Sequence, residues 1–596
     1  MMNSRHLLDR ALSELSTNPE QNTAVHCARN CIVLAGPGSG KTKTLTTSMA
    51  RTLIEEVEPP RGVACITYSN ECAYELKSRL QKLGIQGGNR VFIGTVHSFT
   101  LTQIILPYGR CVLPYWGEGL KVANWEQSRH FIIDAHAETI GGRGVPLDKW
   151  AFASEKRKKV IDRNGQEWRN NSTDLTKFIE SYENKMRTAG LIDFDDMPLI
   201  ACRMLEANPW IAHAIKAKFP VLFVDEYQDL GHGLHHLVKK MCLETGVRLF
   251  AVGDADQSIY GFNGAEPTLL TSLADHKDVT TVSLRFNYRC GTSIIDASMA
   301  ALGEERGYIA PIGTSTGTIH FNPVDGDDLA QAKYALETIL PAIEAEGIPR
   351  DEIGILYRWA KHGTAIAGHA GTMGIPIIRA DKLAIIKRNT PVGRFIVSCA
   401  EWVIGGWKIA SPRFDELLKD AVTLVFGNLV SAQERQEISR DLIKFLKPVE
   451  GTSGAYAWLS RLKQELFRSW ALKARSVGNS WEYLDELILK VSPRENGQPE
   501  TTLNRLTGKA VGSGAINLST FHSSKGREFR AVILLGMNSS VIPNYRARND
   551  PKKMGAERRE FYVAVTRAKE HLHIVYKSKA HSEFVSELYQ RTQKSV

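Results

Sequence analysis

Short apolar runs that end in small or polar residues recur along the first half of this chain and predict strands buried on both faces. Stretches with helical spacing follow several of them, and this alternation indicates a parallel sheet that binds ligands at the carboxyl ends of its strands. The predicted strands are residues 31–35 (CIVLA), 63–69 (VACITYS), 90–99 (RVFIGTVHSF), 221–224 (VLFV) and 249–254 (LFAVGD).

A second group of apolar runs predicts a second parallel sheet, which begins near residue 281. Its early strands are predicted at residues 281–284 and 353–357, and its late strands at residues 516–519 and 531–536. The stretch from about residue 100 to 192 has the charged pattern of helices, and the stretch from about residue 386 to 509 has an amphipathic helical pattern. The pattern therefore predicts an α/β fold with two cores, each interrupted by one helical insertion.

The loop after the first strand, GPGSGKT at residues 36–42, has the composition of a phosphate-binding loop. Its glycines let successive backbone N–H groups face one anion, and the following helix adds the positive end of its dipole. Lys41 is expected to reach the β- and γ-phosphates of a nucleotide, and Thr42 to bind Mg²⁺. A glycine-rich loop without a ligand is the plainer interpretation, which the strand before the loop disfavours.

Two carboxylates, Asp225 and Glu226, directly follow the apolar run 221–224. Carboxylates at the tip of a buried strand are costly unless they hold a metal or orient water. Because they end a strand on the same edge as the phosphate loop, Asp225 is predicted to bind Mg²⁺ and Glu226 to activate the attacking water.

The composition narrows the class of protein. A formal net charge of +10 favours a polyanionic partner such as nucleic acid. The nine cysteines include no C-x-x-C pair, which argues against zinc ribbons, iron–sulfur clusters and a disulfide framework. No apolar run approaches the roughly 18 residues of a membrane helix, and the first residues lack a signal-peptide core, so a cytoplasmic protein without a membrane partner is expected.

Motifs follow one another over most of the chain: NPEQ (18–21), GPGSGKT (36–42), TYSNECA (67–73), GTVHSF (94–99), IDFDDM (192–197), VDEYQDL (224–230), VGDADQSIYGFNGA (252–265), LRFNYRC (284–290), INLSTFHSSKGREF (516–529) and ERREFYVAVTRAK (557–569). Their order and spacing resemble the UvrD/Rep/PcrA-type DNA helicases of superfamily 1. The resemblance implies two RecA-like motor cores. The first comprises residues 1–100 and 193–280 around insertion 101–192, and the second residues 281–385 and 510–596 around a shortened insertion 386–509.

The resemblance also implies roles at the ATP site. Gln21 would hydrogen-bond the adenine, Tyr288 would stack on it and Glu528 would contact the ribose. The implied nucleotide contacts are Gln21, Gly36, Pro37, Gly38, Ser39, Gly40, Lys41, Thr42, Lys43, Tyr288 and Glu528. The implied catalytic residues are Lys41, Glu226, Gln257 as γ-phosphate sensor, and Arg289 and Arg567, both approaching the phosphate from the second core. Arginine suits this task because its planar fork meets phosphate oxygens bidentately.

The family's DNA strand crosses both cores, and its bases stack on aromatic side chains, which tolerates any base sequence. The matching positions here are Tyr68, Asn70, His97, Tyr260, Phe262, Thr520 and His522. Several residues depart from the family pattern. Asn263 stands where an arginine is usual, Phe262 where a tryptophan is usual, and Lys43 where an arginine usually packs on the adenine; Glu71 replaces a common lysine.

The expected function is an ATP- and Mg²⁺-dependent translocase on single-stranded DNA that also acts as a helicase on 3′-tailed duplex DNA. Its 3′–5′ polarity is implied by the resemblance alone. The altered DNA-facing residues and the shortened insertion leave a second function open. This is a nucleotide-gated DNA-binding subunit that regulates a nuclease partner, for example in anti-phage defence, with little unwinding of its own. A small-molecule kinase leaves the later motifs unexplained. The sequence does not choose among repair, plasmid replication and phage defence as the setting, nor identify a nuclease or repair partner.

Overall fold

The computed structural model describes residues 2–85, 88–116, 119–142, 144–163, 165–170, 173–261, 264–387, 390–406, 412–426, 430–473, 480–492, 501–507 and 514–594. The chain forms two compact units. The first comprises residues 1–315 with 550–562, and the second residues 316–549 with 563–596. Over the described ranges, no helix is both long enough and apolar enough to cross a membrane.

The first unit is built on a six-stranded parallel sheet. The strands of this unit are β1 (Asn30–Ala35), β2 (Val63–Thr67), β3 (Val91–Thr95), β4 (Lys121–Val122), β5 (Leu191–Ile192), β6 (Val221–Val224), β7 (Arg248–Gly253) and β8 (Val279–Leu284). The sheet has the order β3-β2-β6-β7-β1-β8, while β4 and β5 form a small parallel pair of their own. Along β1, Ile32 packs into one hydrophobic core and Cys31 and Val33 into another, which explains why the strand is apolar from Cys31 to Ala35.

The α-helices in residues 1–315 of the first unit are α1 (Met2–Ser16), α2 (Pro19–Val25), α3 (Lys41–Arg51), α4 (Asn70–Lys82), α5 (Val96–Phe99), α6 (Leu106–Val112), α7 (Trp125–Thr139), α8 (Pro146–Lys159), α9 (Gln166–Asn170), α10 (Thr173–Thr188), α11 (Asp196–Ala207), α12 (Pro209–Lys218), α13 (His232–Val238), α14 (Pro267–Ala274) and α15 (Thr292–Leu302). Helices α7, α8 and α10 share a separate small core that includes Ile132, Ala153 and Phe178. The stretch between β3 and β5 is therefore mainly helical, as its charged pattern predicts.

The second unit contains another six-stranded parallel sheet. Its strands are β9 (Thr318–Pro323), β10 (Ile353–Tyr357), β11 (Ile377–Arg379), β12 (Ile516–Thr520), β13 (Phe529–Leu535) and β14 (Ala568–Tyr576), in the order β11-β12-β10-β13-β14-β9. The remaining helices are α16 (Asp328–Tyr334), α17 (Leu340–Ala345), α18 (Ala360–Thr372), α19 (Pro391–Gly405), α20 (Phe414–Phe426), α21 (Ala432–Phe445), α22 (Ala455–Leu462), α23 (Arg468–Ala471), α24 (Ser480–Val491), α25 (Leu503–Thr507), α26 (Pro551–Val565) and α27 (Glu583–Lys594). Helices α19 to α25 enclose a core of their own.

Two parallel sheets with helical insertions confirm the predicted α/β fold class of two RecA-like cores. One strand prediction is wrong. Residues 281–284 belong to the first sheet, because β8 pairs in parallel with β1 from Asn30 opposite Val279 to Ala35 opposite Leu284. An apolar run shows that a strand is buried, but it carries no information about which strand it joins. The third predicted strand is also shorter than expected, since β3 ends at Thr95 and His97 lies in α5.

A buried ion cluster ties the first helical insertion to the start of α11. The Arg157 guanidinium on α8 is fully buried and donates to Glu183 (2.9 Å) and Asp193 (2.8 Å). Its other amino group lies 2.6 Å from the buried carboxylate of Asp196. A buried charge must be paired to be tolerated, so this cluster holds the segment 192–197 against α8 and α10.

Candidate nucleotide-binding site and nucleic-acid surface

The carboxyl ends of the parallel strands of the first sheet lie at one edge and bring the predicted ATP-site residues of this unit together. The phosphate loop follows β1, the carboxylate pair follows β6, and residues 254–257 follow β7. The segment 285–290, which follows β8, lies at the same edge, where the N–H group of Tyr288 donates to the carbonyl oxygen of Gly38 (2.9 Å). Ligand sites of parallel sheets form at this edge.

The loop between β1 and α3 has the backbone of a phosphate cradle. Gly38 and Gly40 adopt positive φ angles of 71° and 82°, and α3 begins directly after Gly40. The Ser39 hydroxyl closes the turn by donating to the carbonyl oxygen of Gly36 (2.7 Å). A Cβ atom at Gly38 would lie 2.5 Å from Cβ of Arg289, so both the backbone conformation and the close packing require glycine there.

Lys41 supplies the observation that best tests whether this loop fits a nucleotide. Its Nζ atom is buried and has no hydrogen-bond partner among the residues that the structure describes. A buried ammonium group without a partner is costly, whereas phosphate oxygens would satisfy it. The Lys41 charge acts on Asp225 and on Asp254, in each case lowering the carboxyl pKa against the effect of burial. The residues therefore fit a triphosphate whose negative charge this lysine would meet.

The carboxylate pair after β6 is held in an unusual conformation. Asp225 is buried, and burial, followed by the neighbouring Glu226 charge, raises its pKa to about 7. Glu226 has a positive φ of 50°, which is uncommon outside glycine. The Gln228 amide donates to the Glu226 carboxylate and fixes its direction. A cation close to Asp225 would favour its charged form, which fits the predicted Mg²⁺ site.

Thr42, the second predicted Mg²⁺ ligand, lies in the first turn of α3 and is half-buried. The described part of the chain contains no group of three or more His, Cys, Asp or Glu side chains that could hold a metal by themselves. Mg²⁺ in nucleotide sites usually takes one or two protein ligands and completes its shell with water and phosphate oxygens. Thr42 and Asp225 provide that number of protein ligands.

The segment after β7 is tied to the same carboxylates. The Gln228 side-chain oxygen accepts from the backbone N–H of Asp254 (2.9 Å), and the Gln257 amide donates to the Asp254 carboxylate (2.5 Å). Burial is the main cause that raises the pKa of Asp254 to about 6. The predicted water-activating residue Glu226 and the predicted phosphate sensor Gln257 therefore belong to one hydrogen-bonded network.

The predicted adenine-side residues also lie beside the loop. Gln21 is buried on α2, and its amide donates to the carbonyl oxygen of Ser39 (3.1 Å) and the Thr44 hydroxyl (3.2 Å). The ring of Tyr288 is half-exposed, and its hydroxyl accepts from the Asn18 amide (2.9 Å). Lys43 forms an ion pair with Glu14 of α1 (2.8 Å).

The sequence interpretation assigned Arg289 to the second core, and this assignment is wrong. Arg289 belongs to the first unit, and its backbone N–H donates to the Asn287 side chain (2.8 Å) beside the phosphate loop. The physical reason is the pairing of β8 with β1, which carries the following segment to the cradle. Its predicted role as a phosphate contact remains a prediction.

The remaining predicted ATP-site residues lie in the second unit. Arg567 is only 1% exposed, and its guanidinium donates to the carbonyl oxygens of Val563 (2.9 Å) and Arg527 (3.1 Å) and to the Thr566 hydroxyl (3.1 Å). Glu528 is exposed and pairs with Lys569 (2.9 Å).

Two aromatic residues that are predicted to contact DNA lie together after the carboxyl ends of β2 and β7. The rings of Tyr68 and Tyr260 stack with centroids 4.8 Å apart and an angle of 17° between planes. Both side chains are half-buried, so each ring keeps one part within reach of a ligand. Asn70 begins α4, which Ser69 caps through its hydroxyl. Phe262 and Asn263 lie outside the described residues.

The sequence interpretation did not include Phe194 among the residues predicted to contact DNA. This side chain is 60% exposed and packs edge-on against the ring of His97, with centroids 5.7 Å apart. The signal was present, because Phe194 is the one aromatic residue of the motif IDFDDM. In the second unit, Thr520 ends β12 and donates to the Ser523 hydroxyl (2.9 Å), and His522 follows in a short 3₁₀ turn.

Comparison with known proteins agrees with these two cores. Residues 17–278 match the UvrD/REP helicase N-terminal domain, and residues 495–579 match the UvrD-like helicase C-terminal domain. The chain is 25% identical to the ATP-dependent DNA helicase UvrD1 of Mycobacterium bovis over 94% of its own length and 82% of that protein. It is also 25% identical to the ATP-dependent DNA helicase PcrA of Staphylococcus epidermidis over 94% of its length and 83% of the relative. This chain therefore belongs to the UvrD/Rep family of helicases.

Proposed function

We propose that this protein is an ATP-dependent DNA helicase that moves along single-stranded DNA in the 3′–5′ direction and separates 3′-tailed duplexes. The observation that carries the proposal is the buried, unpartnered Nζ of Lys41 beside a glycine cradle and the carboxylates Asp225 and Glu226. Two relatives that span most of the chain are named ATP-dependent DNA helicases, which supports the same activity.

The phosphate loop and Lys41 would bind the triphosphate, while Thr42 and Asp225 would hold Mg²⁺. When bound, Mg²⁺ neutralises charge on the phosphate oxygens and so favours attack on the terminal phosphate. Glu226 would accept a proton from the attacking water, because the Gln228 amide holds its carboxylate in place. Gln257, held by Asp254, would report the presence of the terminal phosphate.

Arg567 would complete the site from the second core. Its guanidinium already donates to two backbone carbonyl oxygens, so reaching a phosphate would mean exchanging these neutral acceptors for charged ones. Hydrogen bonds to charged acceptors are roughly twice as strong as those to neutral ones, which makes the exchange favourable only when ATP is present. The resemblance to UvrD/Rep/PcrA-type helicases implies that ATP draws the two cores together and that hydrolysis releases them.

The DNA strand would run past the stacked pair Tyr68 and Tyr260 and past His97 in the first unit, and past Thr520 and His522 in the second. Base stacking on aromatic rings contributes about 1–3 kcal/mol per base and is independent of sequence, which suits a motor that must pass every base. The net positive charge of the chain would add attraction to the phosphates.

Strand separation on three labelled duplexes tests this proposal: one with a 3′ tail, one with a 5′ tail and one with blunt ends, each with ATP and Mg²⁺. We expect unwinding of the 3′-tailed duplex and ATP hydrolysis stimulated by single-stranded DNA. Lys41→Ala, which removes the phosphate contact, is the control and should lose both activities. Unwinding of the 5′-tailed duplex alone would overturn the polarity. DNA binding with ATP but without unwinding would favour the regulatory subunit of a nuclease instead.

A further inference from the structure

A segment that belongs to none of the predicted motifs lies along the nucleotide edge of the first unit. It comprises residues 304–310, which follow α15. Its backbone pairs with the strand-like segment that leaves β8, because the N–H of Asn287 donates to the oxygen of Ile309 (2.8 Å) and the N–H of Ile309 donates to the oxygen of Arg285 (3.0 Å). These two hydrogen bonds fix its register, so its side chains have defined positions at the site.

Tyr308 of this segment packs directly on the phosphate loop. A Cβ atom at Gly36 would lie 2.5 Å from Cζ of Tyr308 and 2.8 Å from its hydroxyl oxygen, and the three nearest atoms all belong to this side chain. Gly36, unlike Gly38 and Gly40, has no positive φ angle. The tyrosine ring, rather than the backbone conformation, therefore excludes a side chain at the first position of the loop.

The Tyr308 hydroxyl lies in a buried polar environment. Burial, followed by the charge of Asp254, raises the pKa of Tyr308, and the hydroxyl of Tyr562 from α26 acts in the opposite direction. The same carboxylate, Asp254, holds the amide of Gln257. Tyr308 therefore lies between the phosphate loop, α26 and residues 254–257, which are called the sensor segment here because they carry Gln257.

Arg306, two positions earlier, fixes the sensor segment from outside. Its guanidinium makes a bidentate pair with Asp256, with N–O distances of 2.7 and 2.9 Å. Asp256 directly precedes Gln257 in the turn after β7. A bidentate arginine–carboxylate pair defines orientation as well as distance, so this pair restrains the turn that carries Gln257.

We propose that Tyr308 and Arg306 are positioning residues of the ATP site: Tyr308 braces the phosphate loop at Gly36, and Arg306 sets the position of Gln257. This inference rests on the proposed ATPase activity. The two residues act at different stages of the cycle. Loss of the brace at Gly36 affects the geometry that binds the triphosphate, whereas loss of the Asp256 pair displaces a residue needed for turnover.

Matched substitutions at Gly36 and Tyr308 test the brace. Tyr308→Ala removes the ring from Gly36, so binding of a fluorescent ATP analogue should weaken about tenfold or more. Tyr308→Phe keeps the ring against Gly36 and should bind the analogue like the wild type. Gly36→Ala places a methyl group against the ring, whose nearest carbon would lie 2.5 Å away, and should also weaken binding. A wild-type affinity for Tyr308→Ala, or equal losses in Tyr308→Ala and Tyr308→Phe, would overturn the brace.

A matched pair of arginine substitutions tests the second role. Arg306→Lys keeps the charge but removes the bidentate fork, and kcat should fall about tenfold with the affinity for the ATP analogue unchanged. Arg530→Lys is the control, since Arg530 makes an equally bidentate pair with Glu570 on the second sheet (2.8 and 2.9 Å). The control should hydrolyse ATP like the wild type. An unchanged kcat in Arg306→Lys, or the same loss in both variants, would overturn the positioning role.

Two measurements keep this inference separate from the proposed function. Thermal unfolding of every variant shows whether a loss of binding reflects a loss of folding. If Tyr308→Ala does not fold, Tyr308→Leu, which also removes the ring but keeps a larger apolar side chain, takes its place. If the wild type itself binds no ATP analogue, the proposed function fails and this inference fails with it. If the wild type binds and Lys41→Ala does not, while the Gly36, Tyr308 and Arg306 variants behave normally, only this inference fails.

Discussion

The backbone N–H of Tyr288 donates to the carbonyl oxygen of Gly38 at 2.9 Å, which joins the segment after β8 to the phosphate loop. The hydroxyl of the same tyrosine accepts from Asn18, the residue that caps α2. Two segments distant in sequence therefore meet on the loop within one unit. A nucleotide bound there would contact residues from NPEQ (18–21), GPGSGKT (36–42) and LRFNYRC (284–290), which are the first, second and eighth motifs along the chain.

The first prediction concerns the water-activating residue. Glu226→Gln removes the base but keeps the size and the hydrogen bond to Gln228, so the variant should bind ATP and hydrolyse it at least about 10²-fold more slowly. Single-turnover hydrolysis and binding of a fluorescent ATP analogue measure the two effects separately. Glu465→Gln, an exposed carboxylate on the second unit, is the control and should be unaffected. Turnover near that of the wild type would exclude Glu226 as the base.

The second prediction concerns Arg567. Arg567→Ala should bind single-stranded DNA normally, while DNA-stimulated hydrolysis falls about 10³-fold or more, because the terminal phosphate loses its second-core cation. The variant should also unfold at a lower temperature, since the buried guanidinium makes three hydrogen bonds within its unit. Normal hydrolysis in the folded variant would contradict the assigned role.

The third prediction concerns the stacked tyrosines. Tyr68→Ala and Tyr260→Ala should each weaken single-strand binding by about 1–3 kcal/mol. Because the rings stack on each other at 4.8 Å, the double variant should lose less than the sum of the two single effects. Fluorescence anisotropy with a labelled oligonucleotide measures these affinities. Tyr589→Ala, a half-exposed tyrosine on α27, serves as the control. Strictly additive losses would mean that the two rings act independently.

The fourth prediction rests on the sequence, since Phe262 and Asn263 lie outside the described residues. Phe262→Ala should weaken single-strand binding by about 1–3 kcal/mol and leave basal hydrolysis intact. Asn263→Arg should tighten binding and steepen its salt dependence, because a new cation near the phosphates releases one more counterion. A salt series for both variants measures this. If neither variant changes the affinity, the DNA does not pass over this part of the first unit.

The fifth prediction concerns the buried ion cluster. Arg157→Met leaves Glu183, Asp193 and Asp196 without their shared cation, so the free energy of unfolding of this region should fall by about 3–5 kcal/mol. Lys158→Met, at the adjacent position, removes a half-exposed pair with Asp195 (3.2 Å) and should cost at most about 1 kcal/mol. Hydrogen exchange of α8 and α10 resolves the local effect. Equal losses in the two variants would show that burial does not matter here.

The sequence alone determined the parts of this protein whose physics is local. The phosphate loop, the carboxylates after β6 and the strand–helix alternation each depend on residues close together in the chain, and the α/β fold followed from them. The strands at 353–357, 516–519 and 531–536 were found in the sheet to which they were assigned. A continuous apolar run indicates a strand that is buried on both faces, and such a run is visible in the sequence itself.

Only the tertiary structure decided which distant segments meet. It showed that β8 pairs with β1 and that Arg289 therefore belongs to the first unit. An apolar run in the sequence does not identify the strand with which it pairs. The tertiary structure brought Tyr308 to Gly36 and Arg306 to Asp256, contacts between segments that share no motif. It also buried the Arg567 guanidinium among backbone carbonyl groups, since where a side chain finds its hydrogen bonds depends on the packing of the whole unit.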